Sequence, residues 1–96
     1  MARSIGIVEC DCLSDVLSAT DRMVKAADIR LLRQEQVGDS KVALVLEGDA
    51  DEVGRALQAA KQGAPPALTT TLVPNVQQQV LNIFNLPSGR VWGRSQ

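Results

Sequence analysis

The sequence predicts an α/β (α+β) domain with the element order β-α-β-β-α-β, an antiparallel sheet with its helices on one face, and a short C-terminal helix. Three observations carry this expectation. The apolar, β-branched runs Ile5 to Cys10 and Val42 to Leu46 are too short for helices and read as buried strands. Two longer stretches, beginning near Leu13 and Ala50, repeat apolar residues every three or four positions, the spacing of one helical stripe. Turn formers and helix breakers separate the segments, at Gly38-Asp39-Ser40, Gly63 and Pro65-Pro66.

In chain order, Ile5 and Ile7 take one face of the first strand and Val8 and Cys10 the other. Asp11 is placed to cap a helix over about residues 13 to 27, whose stripe is Leu13, Val16, Leu17, Thr20, Met23, Val24 and Ala27. Residues 29 to 36 read as a strand that starts half buried and turns polar through Arg33, Gln34, Glu35 and Gln36. Gly38-Asp39-Ser40 tolerates positive φ and reverses the chain into a strand over 41 to 47, which gives a hairpin. Val42 to Leu46 is apolar on both faces, as in a central strand covered on each side or packed on a neighbouring subunit.

Asp49 with Glu52 three residues on is a capping-box pattern for a second helix over about 50 to 62, with Val53, Ala56, Leu57 and Ala60 inward. Gly63 ends it and Pro65-Pro66 prevent continuation. Leu68 to Val73 alternates as a last strand stopped at Pro74, and a short helix over about 76 to 84 presents Val80, Ile83 and Phe84. This order is the split βαβ arrangement of ferredoxin-like domains. Residues 1–87 are expected to form one domain, with 88–96 a tail that is mobile or docked on a partner.

Composition narrows the function. The 96 residues suit one core, and with 2% aromatics that core is built from Val, Leu, Ile and Ala. Ten basic residues against eleven acidic ones leave no basic block for nucleic acid. No apolar run approaches a membrane span and no signal segment is recognisable, so a cytoplasmic protein is expected. Histidine is absent, and neither G-x-G-x-x-G nor a P-loop occurs, so neither independent catalysis nor a cofactor is expected. Cys10 and Cys12 are one residue apart and lack the further ligands of a zinc site, so they read as reduced thiols and no metal is expected. From residue chemistry alone, Lys25 is a solvated lysine beside Asp21 at i, i+4, and Asp39 is a turn aspartate.

Taken in order, Ile5-Gly6-Ile7-Val8-Glu9, Asp21-Arg22-Met23-Val24-Lys25-Ala26-Ala27, Gln36-Val37-Gly38-Asp39-Ser40, Gly48-Asp49 and Leu72-Val73-Pro74 resemble the single-domain, hexamer-forming shell proteins of bacterial microcompartments. The resemblance runs from Ser4 to about Phe84. It implies a structural tile: a cyclic homo-hexamer packing edge to edge with other shell proteins of the compartment, around encapsulated enzymes, with a central pore for small polar metabolites. Lys25 would lie at the lattice edge, and the turn Val37, Gly38, Asp39, Ser40 would line the pore.

Family pores usually carry glycine or serine in place of Asp39 and glycine in place of Ser40, and Cys12 replaces a common glycine. Asn75-Val76-Gln77 stands where the family often has arginine, proline and histidine, so Asn75 takes the place of an edge arginine. Six copies of Asp39 would form a carboxylate ring. Neighbours roughly 8 to 10 Å apart at an effective dielectric of about 20 to 40 repel by on the order of 1 to 2 kcal/mol per pair, which disfavours anions. The alternative is an oligomeric ferredoxin-like regulatory domain that binds a small molecule between subunits.

Overall fold

The computed structural model describes residues 3–38 and 41–85. The chain runs β1 (Arg3–Cys10), α1 (Leu13–Ala26), β2 (Arg30–Val37), β3 (Lys41–Gly48), α2 (Ala50–Lys61), β4 (Thr69–Val76), α3 (Gln78–Leu81) and a closing 3₁₀ turn (Asn82–Asn85). The strands form one antiparallel sheet in the order β2-β3-β1-β4. This is the predicted split βαβ topology, with the first strand central and the last on an edge.

Both main helices lie on one face. There α2 covers β1 and β4, while α1 sits over β1 and β3 beside α2. Val8, Cys10, Leu44 and Leu46 from the sheet meet Val16, Ala19 and Met23 of α1 and Val53, Ala56, Leu57 and Ala60 of α2. These side chains are small, so the layers approach closely. A Cβ on Gly6 would stand 2.9 Å from Val53 Cγ1 and 3.2 Å from Leu46 Cγ, which is why β1 carries a glycine beneath α2. The result is a slab of 35 × 33 × 19 Å.

Four expectations are corrected in detail. Cys12, not Asp11, occupies the N-cap of α1, and no side-chain cap bond forms there. Asp49 does cap α2 in position, but its side chain reaches Arg3 and makes no cap bond, while Glu52 accepts the backbone N–H of Asp28 at 2.8 Å. The pair therefore ties neighbouring segments together and does not close a capping box.

β4 passes Pro74 and continues to Val76. An edge strand tolerates a missing donor. The chain recovers through an irregularity opposite Arg3 to Ile5, where Asn75 adopts φ 55 and donates its N–H to Ser4 Oγ at 3.4 Å. In the C-terminal helix, the inward residue is Leu81, whereas Val80 and Ile83 are exposed. The expected contact at Phe84 lies outside the described side chains, and the tail 88–96 lies outside the described residues.

Candidate functional site: a hairpin turn, the opposite end and two exposed apolar edges

Strand direction sorts the predicted site residues to opposite ends of the slab. β2 ends at Val37 and β3 starts at Lys41, paired across the hairpin, and Cys10 of β1 pairs with Val42 at the same end. α1 starts there and runs back, so Lys25 in its last turn lies at the far end. Asn75, near the pairing of Arg3 with Val76, lies at that far end too. A helix of this length rises roughly 20 Å, and that rise separates Lys25 from the turn.

At the near end, Gly38 has φ 66, in the left-handed region that glycine adopts without strain, and among the described residues no atom lies within 4 Å of where its Cβ would be. Val37 is half exposed beside it. Asp39 and Ser40, the other two predicted turn residues, lie outside the described residues.

At the far end, Lys25 Nζ pairs with Asp21 Oδ2 at 2.8 Å, with both side chains well exposed at 74% and 61%. The pair is local to α1, as the i, i+4 spacing foretells. Asn75 is held chiefly through its backbone; its side-chain type suits the left-handed φ that the bulge demands. The structure thus brings Lys25 and Asn75 to one end, on different layers.

The sequence reading missed a charge cluster at this end. Glu47 is nearly buried on the helix-free face, yet it lies between Arg3 and Arg30, with N···O distances of 3.7 Å and 3.3 Å. Arg3 also reaches Asp49 at 3.5 Å. Register could have revealed the cluster, because Arg30 and Ile5 both stand opposite Glu47 across the sheet.

At the near end Cys12 is exposed, and its thiol lies 3.0 Å from Ser14 Oγ; the hydrogen bond with Ser14 lowers its pKa, as do the Asp15 and Ser14 backbones at the start of α1. Cys10, one residue before the bend, is buried, and both cysteines are free thiols.

Among the described residues, two apolar surfaces have no covering partner. The predicted stripe of α1 divides in two: Val16, Ala19 and Met23 are buried, whereas Leu13, Leu17 and Val24 are about half exposed. Arg22 donates to the carbonyls of Ala59 and Ala60 at the end of α2, which marks the flank of α1 facing α2. On the helical wheel Leu13, Leu17 and Val24 fall opposite Arg22, so they face away from α2 and toward β2. Among the described residues no helix covers β2, and Leu31 on its helix-side face is 40% exposed.

The other bare surface is the opposite edge. Leu72 and Val73 of β4, and Val80 and Ile83 after it, are all between 42% and 56% exposed. Between Lys61 and Arg90 the sequence holds no charged residue, so this edge lacks the lysines with which proteins usually guard an outer strand. That long uncharged interval was the signal in the sequence.

Among the described residues, no helix is long and apolar enough to cross a membrane.

The sequence matches the BMC domain family over residues 4–76. It is 33% identical over 64 residues to the carboxysome shell protein CcmK2 of Synechocystis sp., covering 67% of this chain and 62% of that protein. To the bacterial microcompartment shell protein PduT of Citrobacter freundii it is 33% identical over 82 residues, covering 84% of this chain and 45% of that protein. The crystal structure of a microcompartments protein from Desulfitobacterium hafniense DCB superposes with a TM-score of 0.81 at 32% identity, over 88% of this chain and 47% of that one. This chain thus spans less than two thirds of the length of each of these relatives.

Proposed function

The chain belongs to the BMC domain family, and from that premise we propose that it is a structural, non-catalytic shell tile of a bacterial microcompartment in the cytoplasm. Six copies close into a ring around the turn Val37 to Ser40, and rings join edge to edge through the ends that carry Lys25 and Asn75. The observation that supports this reading is the placement of these residues at opposite ends of a slab only 19 Å thick. A tile needs one end for its axis and one for its rim. Either end alone is an ordinary surface feature, and the family likeness gives the pair its meaning.

In that ring the turn at Gly38 lines a pore, and six Asp39 carboxylates favour cationic or neutral polar metabolites over anions. Partners are further copies, other shell proteins and the enclosed enzymes. Lys25, a flexible ammonium with three donors, reaches carbonyls of the adjacent ring, and a lattice repeats that modest contact along every edge.

The test is native mass spectrometry of the purified chain, followed by electron microscopy at high concentration. Six-copy particles that grow into sheets or tubes are expected. A dimer or tetramer that changes size with added metabolite would instead favour a regulatory domain.

A further inference from the structure

We infer that Cys10 and Cys12 form a redox-active dithiol: Cys12 exchanges with low-molecular-weight disulfides, and Cys10 resolves the adduct by closing a disulfide between the two. The pair lies within one chain, so it holds with or without the ring.

Position brings the two sulfurs to one turn of helix. Cys10 is the last residue of β1 and Cys12 the N-cap of α1, and the chain bends at Asp11 between them. Two peptide units put their Cα atoms within about 7 Å, and a bend shortens that span toward the roughly 5.5 to 6 Å of ordinary disulfides. Cys10 Sγ approaches Asp15 Oδ2 at 4.0 Å, and Cys12 Sγ lies 3.0 Å from Ser14 Oγ. Both sulfurs therefore rest against consecutive residues in the first turn of α1.

Burial divides the labour. Cys12 is exposed, and its hydrogen bond with Ser14, joined by the Asp15 and Ser14 backbones, favours the thiolate that attacks a disulfide. Cys10 is 1% exposed and packs with Val8, Val16 and Leu44, which closes it to reagents from outside. A sulfur held on Cys12 is already beside the first turn of α1, and the Asp15 carboxylate that Cys10 faces can take its proton.

The exchange has two steps. The Cys12 thiolate attacks one sulfur of a disulfide RSSR; a bond forms between Cys12 and that sulfur, the S–S bond breaks, and RS⁻ leaves with the electron pair. Cys10 then gives its proton to Asp15 and attacks the Cys12 sulfur, expelling the second RS⁻. The two released thiolates take up the two protons lost by the cysteines, so the chain is oxidised by two electrons while RSSR is reduced to two thiols.

Closure reaches the hairpin, because Cys10 pairs with Val42, the neighbour of Lys41 where β3 begins opposite Val37. Cys10 must turn out of the core to meet Cys12. So short a loop gains little from cross-linking, and its strain keeps the bond easily reduced.

Glutathione disulfide, added to the folded chain and followed by intact mass and by mapping of residues 4–22, tests the pair. Wild type should end lacking two hydrogens and carrying no glutathione, should melt below the reduced chain, and should recover with dithiothreitol. Cys10→Ser should stop at the first step, with one glutathione on Cys12, and Cys12→Ser should take up none. Cys10→Ala replaces Cys10→Ser if circular dichroism shows the latter unfolded. Wild type that keeps glutathione on Cys12, as the Cys10 variant does, overturns the resolving role of Cys10. Disulfides between chains, or no reaction at Cys12, overturn the pair outright.

Discussion

Replacing Lys25 with glutamate separates a stability effect from an assembly effect. Among the described residues of the folded monomer Lys25 makes one ion pair, to Asp21 at 2.8 Å, between side chains that are 74% and 61% exposed. Such a pair contributes about 0.3 to 0.5 kcal/mol, and a like charge four residues away costs a similar amount. Lys25→Glu should therefore destabilise the fold by about 0.5 to 1 kcal/mol, a shift of roughly 2 to 8 °C in melting temperature for a domain of this size. That is small against a typical stability of about 5 to 15 kcal/mol.

Anything larger must come from contacts between molecules. In the proposed hexamer the substitution recurs at six rim positions, so the variant should remain a soluble ring by light scattering and fail to form sheets by electron microscopy. Lys25→Ala, which removes the donor without adding repulsion, should fall between. Sheets of normal extent from Lys25→Glu would refute the edge role; loss of the ring would show that Lys25 acts within it.

Four further outcomes follow from particular contacts. Gly6→Ala drives a methyl to 2.9 Å from Val53 Cγ1 and should lower stability by about 1 to 3 kcal/mol in chemical denaturation; an unchanged midpoint would mean that β1 and α2 are not packed this closely. The Glu52 carboxyl pKa is lowered by the Asp28 N–H and by Arg55. Its contribution is complete above the unfolded carboxylate value and is lost as pH falls through the lower folded value. Wild type should thus lose more melting temperature than Glu52→Gln on acidification below roughly pH 4, and parallel curves would contradict this. Cys12 should alkylate faster at neutral pH than an ordinary exposed thiol, and Cys10 should stay unmodified until unfolding, as peptide mass mapping will show. Asp39→Asn should increase anion passage through assembled shells, and equal anion flux in the two would remove the carboxylate gate.

Patterns that depend on one segment were legible in the sequence. The hairpin, the helix boundaries to within a residue or two, and the inward face of α2 follow from local periodicity and turn chemistry, so Val53, Ala56, Leu57 and Ala60 are where their spacing puts them. What escaped depends on two segments meeting. The seven-residue stripe of α1 is wider than one sheet can cover, and only the position of α2 decides that Val16 and Met23 go inward while Leu13, Leu17 and Val24 stay out. Pro74 reads as a stop until β4 is known to lie on an edge. Glu47 reads as a surface charge until register sets it beside Arg3 and Arg30. Of the proposed site, Lys25, Val37 and Gly38 were singled out through family likeness alone, because nothing in a single lysine or glycine announces a role.

Electron cryomicroscopy of the purified particle tests the central claim most directly, by locating the hairpin turn relative to the symmetry axis. The account predicts six-fold rings with residues 37–40 converging on the axis and Lys25 and Asn75 on the outer perimeter. A closed particle of another symmetry, or one with the Lys25 end turned inward, would contradict it.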